Sequence, residues 1–172
     1  MSNQSAGILL YRKTGEELQV FLVHPGGPFF KNKDAGAWSI PKGEFLADED
    51  PQAAAKREFE EETGQAIDGN FIELKPVRLK SGKTVHAWAV EGDINHETIF
   101  SNLFEMEWPP RSGKKQSFPE IDGAGWFTLD EARIKLNPAQ VGFVDELINW
   151  RSNCTTVKSV AHLYTLVGIC NR

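Results

Sequence analysis

Most of the first 130 residues run in short stretches where apolar positions alternate with polar ones or cluster briefly, which is the pattern of strands. In only three places do they settle into a three-to-four-residue spacing. SAGILLYR (5–12) and LQVFLVH (18–24) flank the polar turn KTGEE and predict an opening hairpin. PGGPFFKNKDAG (25–36) predicts a loop, and AWSI (37–40) a short strand ending at Pro41. Residues 51–63 predict a helix. Asp50 is its cap, Pro51 suits the first helical position, Ala53, Ala54 and Ala55 are strong helix formers, and Gly64 suits the left-handed residue past its end.

NFIELKPVRL (70–79), TVHAWAVEG (84–92) and TIFSNLFEMEW (98–108) predict strands, with a hairpin turn at KSGK (80–83). PPRSGKKQSFPEIDG (109–123) reads as a basic loop, AGWFTL (124–129) as a short strand and DEARIKL (130–136) as the start of a helix. In NPAQVGFVDELINW (137–150), Val141, Val144, Leu147 and Ile148 fall at helical spacing behind an Asn137 cap and Pro138. No internal repeat is present. A β-rich order with two or three helices predicts an α/β fold, a mixed sheet between helical layers, in one domain over residues 1–150. Residues 151–172, which include TTVKSVAHLYTLVGIC, have strand-like composition and predict either a terminal strand or a loosely ordered extension.

Length and composition agree with this reading. The chain has 172 residues, long enough for one core without a metal or disulfide to hold it. Cys154 and Cys170 form neither a CxxC pair nor a zinc spacing, so free thiols in a reducing compartment are expected, with a disulfide between them as the alternative. The N-terminus lacks a basic stretch leading into an apolar one, and no run of 18 apolar residues occurs, which predicts a cytoplasmic protein with no membrane partner. A net charge of −5 argues against a nucleic-acid polymer as partner. That charge is local. Residues 41–64 hold eight acids and three bases, which accounts for the whole imbalance.

Glu58, Glu61 and Glu62, at i, i+3 and i+4, share one face of the expected helix, whereas Glu60 points elsewhere. They repel one another, and they lie near the helix C-terminus, where the macrodipole disfavours anions. Arg57, four residues before Glu61, offsets part of this, but no base follows in the last turn. A hard divalent cation resolves the conflict, since Mg²⁺ takes carboxylate oxygens and bridges them to substrate phosphates. No EF-hand loop is present. Lys31, Lys33 and Lys42 precede the acidic segment and would face a polyanionic substrate opposite the metal.

Gly43, Glu49 and Arg57-Glu58-Phe59-Glu60-Glu61-Glu62-Thr63-Gly64 together resemble the Nudix box, G-x5-E-x7-R-E-U-x-E-E-x-G-U with U apolar, at every charged and glycine position. Gln65 departs from it at the last position, and Ala66 or Ile67 is expected to supply the missing apolar contact. The resemblance implies a Nudix-type α/β/α sandwich with a loop-helix-loop catalytic box, over roughly residues 5–150. It implies Glu58, Glu61 and Glu62 as ligands of Mg²⁺ (or Mn²⁺), assisted by the Gly43 carbonyl. Arg57 would orient the carboxylates, Glu49 would pair with it, and Gly64 would close the box. The implied activity is metal-dependent hydrolysis of phosphoanhydride bonds in a small nucleoside polyphosphate, by water attack at phosphorus. In several members the general base lies about six residues before an aromatic strand. Glu120, six before Trp126, takes that position, with Asp122 and Glu107 as alternatives.

The stretch HPGGPFFKNKDAGAWSIPKGE is similar to bacterial Nudix proteins described as NTP pyrophosphohydrolases, and WSIPKG to a motif of diadenosine tetraphosphate hydrolases. Trp38, with Phe29, Phe30, Trp88 and Trp108, is a candidate for stacking a base. Arg78, His24 and His86 are weaker phosphate-contact candidates. Nucleotide sugars and inositol pyrophosphates are further candidate substrates, and a Nudix-fold ligand-binding module is the alternative to an enzyme.

Overall fold

The computed structural model describes residues 3–152. Its centre is β1 (Gln4–Thr14), buried continuously from Ser5 to Tyr11. A strand apolar on both sides must be covered on both sides. Ala6, Ile8 and Leu10 face one layer, built from α1 (Pro51–Thr63) through Ala54, Ala55 and Phe59. Leu9 and Tyr11 face the other, where α2 (Leu129–Lys135) supplies Ala132 and α3 (141–152) supplies Phe143, Val144 and Leu147. The result is an α/β/α sandwich, as the alternation of element types predicts.

The sheet runs in the order β4-β5-β1-β2-β8, comprising β4 (Ile72–Arg78), β5 (Thr84–Glu91), β1, β2 (Glu17–Pro25) and β8 (Ile121–Thr128). β1 is parallel to β5, and the other pairings are antiparallel, so the sheet is mixed. β1 pairs with β2 only over Tyr11–Thr14, and further back the two strands part. The chain from Trp38 to Glu44 fills the opening. Ser39 exchanges both backbone bonds with Val23, Ile8 N–H donates to Pro41 O at 3.0 Å, and β3 (Lys42–Glu44) pairs with Ser5–Gly7. Gly7 permits this, because a Cβ there would sit 2.5 Å from Pro41 O and 2.6 Å from Lys42 Cβ.

Several elements differ from the sequence reading. AWSI makes only isolated bridges, Val23 to Ser39 and Trp38 to Leu136, because it is wedged between strands instead of extending one. Past Pro41 the chain does not turn but continues extended as β3. The expected strand 98–108 shrinks to β6 (Leu103–Glu107), and the expected loop 109–123 contains β7 (Lys115–Pro119) and the start of β8. β6 and β7 form a two-stranded hairpin off the main sheet, and KQSFP has no buried face to impose alternation. α2 starts at Leu129, one residue early, because Thr128 and Glu131 form a capping box. Residues 137–150 open with a 3-10 turn, Pro138–Gln140, before α3. The expectation for the 151–172 tail falls, from residue 153 on, outside the described residues. Among those described, no helix is long and apolar enough to cross a membrane.

Gln140 ties the helical layer to the wedge. It is 1% exposed, and its Oε1 accepts from Ile40 N–H at 3.0 Å and its Nε2 donates to Ser39 Oγ at 3.0 Å. Gln140→Leu keeps the volume and orphans the Ile40 N–H, which costs about 1–3 kcal/mol. Urea unfolding should show that loss as a lower midpoint at unchanged slope.

Candidate active site

α1 and its flanks build the site. Asp50 caps the helix by accepting from Ala53 N–H at 2.8 Å, and Gly64 ends it in the left-handed region at φ 71°. Phe59 is fully buried and meets Phe21 edge-on, so the helix cannot rotate about its axis. This fixes Glu58 and Glu62 against β3, with Glu61 beside them on Arg57, and Glu60 is exposed.

Arg57 organises that side. It holds Glu49 through two bonds, Nε to Oε1 at 3.0 Å and Nη2 to Oε2 at 3.3 Å. Its Nη1 donates to Glu58 Oε1 at 2.7 Å and Glu61 Oε2 at 3.1 Å, and its Nη2 donates to Glu44 O at 3.3 Å. The guanidinium pulls Glu49 below the usual carboxylate range, and these anions in turn raise the proton affinity of Arg57. The Glu44 carbonyl is a partner that sequence reasoning missed, since a backbone acceptor leaves no trace in residue identity.

Glu58 lies against Gly43. A Cβ on Gly43 would fall 1.7 Å from Glu58 Oε2, so only glycine lets β3 come this close. The Glu58 side chain is 14% exposed. Burial raises its pKa, Arg57 opposes that, and repulsion from Glu61 and Glu120 adds to it. Glu62 is pushed up to about 8, first by burial and then by repulsion from Glu58 and Glu120. Lys42 opposes the shift by its charge and by its N–H, which donates to Glu62 Oε2 at 2.9 Å. Among the described residues no three carboxylate or imidazole groups converge on one point at metal-ligand geometry. Glu58 and Glu61 are turned toward Arg57, and Glu62 toward the Lys42 amide. The donor set still fits a hard divalent cation: Glu58 and Glu62 are partly buried carboxylates that repel one another and hold protons tightly, with the Glu61 carboxylate on the same helix.

Glu120 comes from between β7 and β8, yet its charge acts on both Glu58 and Glu62. Its backbone is held on two sides, with its N–H donating to Asn102 O at 2.9 Å and its carbonyl accepting from Gly26 N–H at 2.8 Å. Both alternatives are engaged elsewhere. Asp122 pairs with His24 at 2.5 Å, and Glu107 accepts from Gly113 N–H in the β6–β7 hairpin.

The substrate candidates divide. Lys31 and Lys33 are exposed on the 25–36 loop, and Lys33 Nζ lies over the Phe30 ring. Trp38 packs with the α2–α3 layer, across the sheet from α1. It meets Phe127 and His24 edge-on and donates to Asp34 Oδ1 at 2.8 Å. Trp88 is a core residue beside α1. Phe29, 56% exposed, meets Trp108 of the hairpin edge-on. His86 bonds Gln4, and Arg78 bonds Gly82 O within its own turn. Gln65 exchanges two bonds with the Asn95 backbone, and Ile67 packs against the α1-side core, supplying the contact that Gln65 lacks.

The family model described as NUDIX domain matches residues 1–147. An Ap4A hydrolase from C. elegans, in a binary complex, superposes with a TM-score of 0.61 at 18% identity, over 87% of this chain and 98% of that one. A mutT/nudix family protein from Listeria innocua gives 0.60 at 19%, over 90% and 96%. The NUDIX domain of Shewanella oneidensis NrtR, complexed with ADP ribose, gives 0.57 at 16%, over 88% of each. At these identities the likeness concerns the fold. No curated protein matches the chain.

Two tests follow from the geometry. Gly43→Ala drives a methyl into the Glu58 carboxylate, and it should lower the thermal midpoint and abolish the β3–α1 contact in amide spectra. Glu62, at about 8 in the fold and near 4.5 when unfolded, binds its proton more tightly in the native state. Its contribution is therefore fully present below about 4.5 and is lost as pH rises through about 8. In chelator-treated protein, denaturant midpoints should fall across that window by more in the wild type than in Glu62→Gln.

Proposed function

The chain belongs to the Nudix family of hydrolases acting on phosphoanhydride bonds, and from that premise we propose that it is a divalent-metal-dependent pyrophosphohydrolase of small nucleoside polyphosphates. The observation that carries this reading is the single carboxylate face of Glu58, Glu61 and Glu62, closed by glycine-only contact with Gly43 and organised by Arg57. Glu58, Glu61 and Glu62, with the Gly43 carbonyl, would hold Mg²⁺ or Mn²⁺. Such an ion supplies charge neutralisation at the phosphates and lowers the pKa of a bound water.

The protein's own groups have separable roles in this proposal. Arg57 keeps Glu58 and Glu61 oriented as the carboxylates that would hold the ion. The Lys42 amide aims Glu62, and the Lys42 charge sits beside it. Glu120, close enough to act on Glu58 and Glu62, is the general base that accepts the proton of the attacking water. Lys31 and Lys33, with Lys42, would meet the phosphate chain opposite the carboxylates. The Ap4A hydrolase and the ADP-ribose-bound domain among the structural neighbours support a nucleotide as the small molecule.

The test is a product assay. Protein stripped of metal, then given Mg²⁺ or Mn²⁺, is incubated with nucleoside triphosphates, diadenosine polyphosphates, nucleotide sugars and inositol pyrophosphates. At least one should be cleaved at a phosphoanhydride bond, and only after metal is restored. Glu61→Gln should be slower by about a hundredfold or more, and Glu120→Gln by about 10²–10⁴ in kcat with little change in metal affinity. A wild type that binds a nucleotide but cleaves none would make the chain a ligand-binding module instead.

A further inference from the structure

His24 is a buried titratable side chain that the reaction above does not use. It ends β2 at 8% exposure, beneath the edge of Trp38. Its ring nitrogens have two partners, Asp122 Oδ1 at 2.5 Å from Nδ1 and the Lys33 carbonyl at 2.8 Å from Nε2. A carbonyl only accepts, so Nε2–H donates to Lys33 O. Nδ1 shares a hydrogen with Asp122 Oδ1 on the other side of the ring. With both nitrogens engaged, His24 has no donor left for a substrate phosphate, which corrects the phosphate-contact reading of the sequence.

The bond to Lys33 O matters for where it lies. The 25–36 loop carries Lys31 and Lys33 and is fixed at its two ends. At the start, Gly26 N–H donates to Glu120 O at 2.8 Å, and a Cβ on Gly26 would lie 2.0 Å from Pro119 O. At the finish, Gly36 N–H donates to Ile134 O at 3.0 Å, and Asp34 pairs with Lys135 at 2.6 Å. Between these ends, the lysine-bearing stretch bonds within itself, Lys31 N–H to Gly27 O and Lys33 N–H to Phe30 O. From the β6–β7 hairpin Trp108 meets Phe29 edge-on, and from the central sheet His24 Nε2 bonds this middle at Lys33 O. Asp122, two residues beyond Glu120 in sequence, anchors the other side of the ring to β8.

We propose that His24, oriented by Asp122, is a positioning residue that sets where Lys31 and Lys33 are presented to the polyphosphate chain. This rests on the reading of the site as a polyphosphate hydrolase. It adds that the substrate lysines are placed by a side chain on the central sheet and not by the box. His24 touches no reacting atom. Its loss should therefore weaken ground-state and transition-state binding together, raising KM more than it lowers kcat.

Two isosteric variants separate its two bonds. Asparagine places its amide nitrogen near Nδ1, keeping Asp122 and losing Lys33 O. Glutamine places its nitrogen near Nε2, keeping Lys33 O. Steady-state kinetics on whichever polyphosphate the wild type cleaves, and amide hydrogen exchange without substrate, are measured on both. His24→Asn should raise KM about tenfold with kcat within about twofold, and should speed exchange at residues 27–35 while β1 and β5 stay protected. His24→Gln should recover most of both effects. Unchanged exchange at 27–35 in His24→Asn would overturn the clamp whether or not the wild type hydrolyses anything. Active wild type with unchanged KM in His24→Asn would overturn the positioning role and leave the hydrolase intact. A fall in kcat and thermal midpoint together, equal in both variants, would make His24 an ordinary core residue and overturn it too.

Discussion

The site depends on one guanidinium. Arg57 bonds three carboxylates and a backbone carbonyl, and those partners come from three places: Glu49 from the loop, Glu44 O from the end of β3, and Glu58 and Glu61 from its own helix. The acids sit near the helix C-terminus without a base in the last turn. The macrodipole and mutual repulsion both work against them there. Lysine in the same place would give one ammonium and no fork, and could not bridge Glu49 through two oxygens while reaching Glu58. Arg57 therefore does more than neutralise. It converts a repulsive cluster into a fixed one and ties β3 to α1.

That tie has a geometric precondition, which the sheet supplies. β1 stands apart from β2 before Tyr11, and the opening admits the chain that becomes β3. Two glycines make the approach feasible, Gly7 of β1 against Pro41 and Lys42, and Gly43 of β3 against Glu58. A side chain at either position would push β3 away from β1 or from the carboxylates. Gln140 then holds the entrance of this wedge from the other layer. The residues that hold the site are thus distributed over both faces of the sheet, although its carboxylates lie on one.

Much of this was legible in the sequence where the cause is local. Asp50, Pro51 and Gly64 mark both ends of α1, and the i, i+3, i+4 spacing of Glu58, Glu61 and Glu62 gives their common face once the helix is granted. The continuous burial of β1 also follows from an apolar run with no polar alternation. Legibility ended where partners are far apart in sequence. AWSI looks like a strand because its side chains are buried, but burial here comes from a wedge. β7 looked like loop because Lys115, Gln116 and Ser117 are exposed on both faces of a small hairpin, which removes the alternation that marks a strand. Trp38 looked available for stacking, yet Phe127, His24 and Asp34 already engage it. Its neighbours are drawn from elements that no spacing rule connects.

The same division runs through the chemistry. The carboxylates belong to one helix and are placed by a few residues within reach of a motif. The lysines proposed to meet the substrate belong to a loop whose position is set by contacts spanning the chain, Gly26 with Glu120 and His24 with Asp122 across 98 positions. A box of fixed spacing can therefore be preserved while the loop is re-hung by changing one distant partner. In the proposed hydrolase the carboxylate face and the lysine loop would thus be positioned largely apart and meet at Glu120, whose carbonyl holds Gly26 while its charge acts on Glu58 and Glu62.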